Sequence, residues 1–340
     1  MRQFFEKCKG FSILFPIFAL GATAGLLPLR IWQELERIDP ATGFWAQWSE
    51  AAQGWTNLHF SESRSIPLLY AGLVALLLFP LLAGIALRKR TVLDLGRRPR
   101  RAESIFALLV AATLIVDAAA ALRFTADVAV GLREGQYLSG MEYASGGALQ
   151  YYIRTGTFAA AVESLAALGG AALFAQIAFL DWFPQRKKDP SRLLLLMPLL
   201  WVICRILRRF ARTISYIRVP DLLLDLLLLI CLMLFLLPFA QIFSGINGEG
   251  KTSRLLGAGL PAAILALLCF VPRVALRLSG VSPLPQDARV EWCDPALALF
   301  IAAFLGGRLF LTKRCTAPAA PQTQTAGEAT PKEAEEDLAE

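Results

Sequence analysis

The sequence predicts an all-α, polytopic membrane protein with eight transmembrane helices, and three observations carry that class. Hydrophobic residues fill 56% of the 340 positions and charged residues only 18%, giving a mean hydropathy of +0.53. A soluble domain holds roughly 45–50% apolar residues even with glycine counted. The apolar residues gather into runs, most of them near the ~20 residues that cross ~30 Å of hydrocarbon at 1.5 Å per residue. Basic residues cluster beside those runs, as the positive-inside bias requires.

The runs lie near 11–29, 66–87, 103–123, 156–180, 193–213, 221–243, 256–275 and 293–311, within a helical domain of residues 1–315. The first follows a basic "MRQFFEKCKG", and Ala22-Thr23-Ala24 has the form of a signal-peptide cleavage site. Apolar character continues through Leu29, longer than a secretory core, so a retained span is favoured over a cleaved leader. Gly21 and Gly25 form a GxxxG, which lets a second helix approach closely.

Arg2, Lys7 and Lys9 before the first run place the N-terminus in the cytoplasm. The basic "RKRTVLDLGRRPRR" between the second and third runs agrees, as do Arg186, Lys187, Lys188 and Arg192 after the fourth. Residues 30–65 and 124–155 then form outer loops. The first loop turns at Asp39-Pro40 and Gly43, and its Trp45, Trp48 and Trp55 suggest an interfacial helix with indoles at headgroup depth. Residues 316–340, rich in Ala, Pro, Thr and Glu, are expected to be a disordered cytoplasmic tail, having too little apolar surface to bury.

The fifth run is the ambiguous one. "WVICRILRRFARTIS" sets Arg205, Arg208, Arg209 and Arg212 at i, i+3, i+4 and i+7. With eight spans the cytoplasm holds nineteen Lys and Arg and the exterior fourteen; with seven, the run lying flat, the split is twenty-two to eleven. That count favours seven. A tandem-hairpin repeat favours eight: "FAQI" at 174–177 and 239–242 is followed each time by "SRLL" and then by Pro198 or Pro261. The all-round apolar "LLLLMPLLWVIC" also resists lying flat. Eight spans are the preferred count, seven the runner-up, and a voltage-sensor reading fails because the arginine phase breaks between Arg208 and Arg209.

Ionisable residues inside runs are costly and mark a candidate site. Asp117, Glu163 and Asp225, with Arg205, fall in one outer layer of an eight-span bundle. They read either as a cation or proton pocket or as structural ion pairs to Arg123, Arg154 or Arg205. Gln176 and Gln241, at repeat-equivalent positions, suit interhelical hydrogen bonds. His59 is the only histidine, and the six cysteines form no CxxC or Cys/His cluster, so no metal, cofactor or disulfide framework is expected. The net charge of +7 follows the spans, which points to anionic lipid headgroups and not to nucleic acid.

At "LRIWQELERIDPATGFW" and "RVPDLLLDLL" the chain resembles a group of uncharacterised polytopic membrane proteins of anaerobic Gram-positive bacteria. The resemblance implies a bacterial cell membrane and carries no activity. The function expected is a non-enzymatic accessory, scaffold or sensor component with membrane-protein partners. The alternative is a small-solute or ion transporter using the carboxylate layer. An intramembrane enzyme ranks last, there being no HExxH or GxSxG.

Overall fold

The computed structural model describes residues 2–39, 45–57, 63–87, 100–134, 147–182, 191–211, 219–244, 251–280 and 290–311. His59, Arg212, Cys315 and the tail 316–340 lie outside the described residues. The elements in chain order are α1 (Arg2–Glu36), β1 (Ala46–Ser49), β2 (Gly54–Asn57), α2 (Ser65–Leu87), α3 (Arg101–Arg133), α4 (Gly147–Arg154), α5 (Thr157–Trp182), α6 (Arg192–Ala211), α7 (Val219–Phe243), α8 (Lys251–Leu278) and α9 (Cys293–Leu311). Six of these helices contain stretches long and apolar enough to cross a membrane, in α1, α2, α3, α5, α7 and α8. In α6 the arginines near its end interrupt the apolar stretch, and the apolar part of α9 is shorter, Cys293–Gly307.

Six helices close a ring in the order α3, α5, α6, α7, α8, α9 and back to α3, while α1 and α2 pack against the outside of α8. Close approach explains two of these seams. At Gly169 of α5 an added Cβ would collide with the side chain of Met197 on α6, and at Gly72 of α2 it would collide with Leu26 of α1. Helices α5 and α6 pack side by side, as do α7 and α8, whereas α2 docks on α8. Phe174 and Phe239 stack on each other with ring centroids 6.3 Å apart. Phe300 and Phe304 join them edge-on, and Phe235 stacks on Phe239 while meeting Phe304 edge-on.

Large apolar side chains cover the outside. Leu20, Leu82, Leu165 and Leu193 are each 60% exposed or more, and each lies in a long helix. A soluble monomer rarely exposes contiguous apolar patches beyond a few hundred Å², whereas a bilayer-facing surface requires them. Arg30, Glu163, Arg205, Asp225, Arg273 and Asp294, conversely, are turned inward.

Three sequence expectations change. Helix α1 does not stop near Leu29 but runs to Glu36, so Arg30 and Glu34 belong to a helix and not to an outer loop. Their charges are compensated inside the bundle, which removes the reason to end the helix before them. Likewise α3 continues to Arg133, about 50 Å in all.

The tryptophan segment is a hairpin and not an interfacial helix. Ala46–Ser49 pairs antiparallel with Gly54–Asn57, and Trp48 faces Trp55 across the strands with centroids 5.9 Å apart. The cross-strand aromatic pair outweighs the helical spacing, and Gln53, at φ 44°, supplies the turn. Trp45 instead bridges to Ile38 at the end of α1.

A candidate buried ionic layer

Except for Glu103 at the start of α3, the buried charged residues collect where α1, α6 and α8 end and α5, α7 and α9 begin. Alternating helix direction produces that level: Arg30 and Glu34 come from the last two turns of α1, Arg205, Arg208 and Arg209 from those of α6, and Arg273 from those of α8. Glu163, Asp221, Asp225 and Asp294 come from the first two turns of α5, α7 and α9, and Glu291 from just before α9. Asp117 lies midway along the longer α3.

Each of these arginines touches a carboxylate on another helix or on the segment leading into one. Arg30 bonds Glu34 in its own next turn and donates to Asp221 at 2.8 Å. Arg273 donates to Asp225 at 2.7 Å, and Arg209 reaches the same oxygen at 2.8 Å and Glu291 at 3.2 Å. Arg205 contacts Glu291 and donates to Asp294 at 3.0 Å. Arg208 stands 3.1 Å from Glu163. One oxygen of Asp225 therefore receives two guanidinium groups, from α6 and α8, and locks three neighbouring helices of the ring.

The layer is deeply buried. Arg30, Glu163, Arg205, Asp225, Arg273 and Asp294 are each 3% exposed or less. A single charge taken out of water costs several kcal/mol after relaxation, and only close pairing compensates it. Pairing of this density accounts for arginines that point inward on α6 while Leu193, Leu196, Leu207 and Phe210 of the same helix face outward.

Asp117 is bound differently: it accepts a 2.8 Å hydrogen bond from the indole N–H of Trp201. The Trp201 ring lies under the Arg205 guanidinium at 4.8 Å from its centroid, a cation–π contact that links Asp117 to the arginines through a neutral side chain. Glu163 also differs. Its carboxylate meets Arg208 as an ion pair, but neither oxygen has a hydrogen-bond partner.

Of the four residues singled out in the sequence, Arg205 and Asp225 share one network through Glu291 and Arg209, Asp117 joins it through Trp201, and Glu163 pairs separately with Arg208. Arg205 is not the direct counter-ion of Asp117 or Glu163, and its partners are Glu291 and Asp294. The alternative pairings to Arg123 and Arg154 are not made. Arg123 faces Asp127 on its own helix at 4.0 Å, both exposed, and Arg154 is exposed. Gln176, expected to bond across helices, has no hydrogen-bond partner at its Oε1.

Sequence reasoning missed Arg30, Glu34, Asp221, Arg273, Glu291 and Asp294, and took Arg208 and Arg209 as part of the arginine stripe without assigning them to the layer. All lie within the terminal turns or flanks of a helix, where a charge is ordinarily read as solvated. The available signal was spacing: Arg30/Glu34, Arg205/Arg209 and Asp221/Asp225 are i, i+4 pairs that place two charges on one face. Cys204, Cys231, Cys269 and Cys293 are buried free thiols close to this network or to the core.

The fold is all-helical, with six helices long and apolar enough to cross a membrane, and it is consistent with a multi-pass membrane protein whose buried charges are turned onto one another. Beyond that class the comparisons add no relative: no protein-family model, curated protein or solved structure matches the chain.

Proposed function

We propose that the protein is a non-enzymatic accessory, scaffold or sensor component of a bacterial cytoplasmic membrane. It has eight spans with both ends cytoplasmic and works through contacts with lipid and other membrane proteins. One observation carries the reading: every arginine of the ionic layer is engaged by a carboxylate from elsewhere in the bundle. Charges committed to one another fix helix positions and leave little free to bind or transform a substrate.

The eight-span count is supported by the level of the α6 arginines. They meet the first turns of α5 and α7 and the approach to α9, so α6 runs antiparallel to its neighbours through the bundle. A helix lying flat on the surface would present them to headgroups. The orientation rests on the basic clusters between the second and third and the fourth and fifth runs.

A second reading, transport of a cation or proton, is favoured by Glu163, whose fully buried carboxylate lacks hydrogen bonds and lies within electrostatic reach of Asp117. Flux into proteoliposomes separates the two. The scaffold reading expects no proton or alkali-cation flux from purified wild type under an imposed gradient. A flux that disappears in Glu163→Gln, with that variant still folded, would overturn it.

A further inference from the structure

Away from the ionic layer, α1, α8 and α9 line a cleft of about 480 Å³. Its floor is made by small residues at helical spacing: Ala298, Ala302 and Gly306 on α9, Ala263 on α8, and Ala19 and Thr23 on α1. The Thr23 hydroxyl is spent on the carbonyl of Ala19, at 2.8 Å, so the slot presents hydrocarbon even there.

Shape limits the occupant. The walls run over residues 15–23 of α1 and 256–267 of α8, a length of about 12–16 Å. A groove of that length, lined by apolar side chains on all three helices, suits an extended hydrocarbon chain.

Charge limits it further. Each helix that walls the slot continues in sequence, on the side away from the ionic layer, into basic residues: Lys7 and Lys9 on α1, with Arg2 and Glu6 close by; Lys251 and Arg254 on α8; and Arg308 on α9. Immediately past the slot the carbonyl of Gly307 accepts a hydrogen bond from Arg100, whose guanidinium shares that end with the carboxylate of Glu103. Juxtamembrane cations of this kind attract anionic headgroups.

We infer that the α1/α8/α9 cleft binds one anionic phospholipid, its acyl chain in the slot and its phosphate among the basic helix ends. The inference rests on the proposed orientation only in placing that lipid in the cytoplasmic leaflet.

The test is native mass spectrometry of the full chain in mild detergent, titrated with phosphatidylglycerol or phosphatidylcholine of identical acyl chains. Wild type should retain phosphatidylglycerol about tenfold better than phosphatidylcholine. Ala302→Phe, which fills the slot from an exposed position, should lose both. Lys251→Gln/Arg254→Gln/Arg308→Gln should lose only the preference. Should Ala302→Phe fail to fold, Thr23→Leu on the opposite wall gives the same reading.

Equal retention by wild type and both slot variants would overturn the site. So would a homodimer that the slot variants dissociate, since a second copy would then be the occupant. A reporter on Glu340 reads the orientation separately: an external tail with lipid still bound moves the site to the other leaflet, whereas a cytoplasmic tail without binding removes the site alone.

Discussion

Arg208 on α6 and Glu163 on α5 form an ion pair at 3.1 Å in which the carboxylate is fully buried and the guanidinium is 19% exposed. The two partners are therefore unequal, and so are the consequences of removing them. Arg208→Ala strands a charge in the interior, a change that costs about 3–5 kcal/mol. Glu163→Gln leaves Arg208 able to reach water. Thermal unfolding in detergent should show Arg208→Ala far less stable than Glu163→Gln, with the double variant recovering most of the loss.

Asp225 holds two arginines and Asp117 holds none directly. Asp225→Asn should strip Arg273 of the carboxylate it contacts and leave Arg209 with Glu291 in place of two partners. The expected result is a membrane abundance several-fold lower than that of Asp117→Asn, measured by quantitative blotting of isolated membranes. Equal abundance would mean that the layer is not what holds α6, α7 and α8 together.

Trp201 makes two polar contacts through one ring, the hydrogen bond to Asp117 and the cation–π contact with Arg205. Trp201→Phe keeps most of the packing and the ring face but removes the N–H. A loss of about 1–3 kcal/mol is expected. In an Asp117→Asn background, whose amide oxygen can still accept from the indole, the same substitution should cost less, a double-mutant cycle that isolates the charge-assisted part of the bond.

Two glycines should respond in opposite ways. Gly169→Leu drives a side chain into Met197 at the α5/α6 seam and should destabilise by about 1–3 kcal/mol or abolish accumulation. Gly21→Leu meets nothing within 4 Å and should leave abundance and melting temperature unchanged. A defect in Gly21→Leu would reveal a partner helix on that face of α1.

How far the fold was legible follows from the same physics. Apolar length located the long helices to within a few residues at α2, α5, α7 and α9, because the bilayer imposes a fixed span. It missed the ends of α1 and α3, where helix continues past the apolar run. Hydropathy registers transfer into hydrocarbon, and it cannot anticipate that Asp221, far along the chain, compensates Arg30. The hairpin was missed because three tryptophans at near-helical spacing carry no record of the turn at Gln53.

The candidate layer was half legible for a related reason. Asp117 and Glu163 stand out against long apolar runs, so their depth could be read from counting residues. Asp294 and Arg273 sit near helix ends and look solvated until the neighbouring helix is seen to cover them. Pairing, which decides whether a buried charge is a site or a rivet, is a property of two segments at once.

The Arg30–Asp221 contact joins residues separated by 191 positions. At 5–20 residues per second of synthesis, α1 enters the membrane about 10–40 s before its partner exists. Glu34, one turn away on the same helix, is its counter-ion from the moment the helix forms. The i, i+4 pair thus lets a cationic helix end be inserted early and held ready, and Asp221 later draws it against the finished bundle. A chain carrying Glu34→Gln would meet its difficulty during biogenesis, as increased degradation of the nascent protein, before any effect on the assembled molecule could be measured.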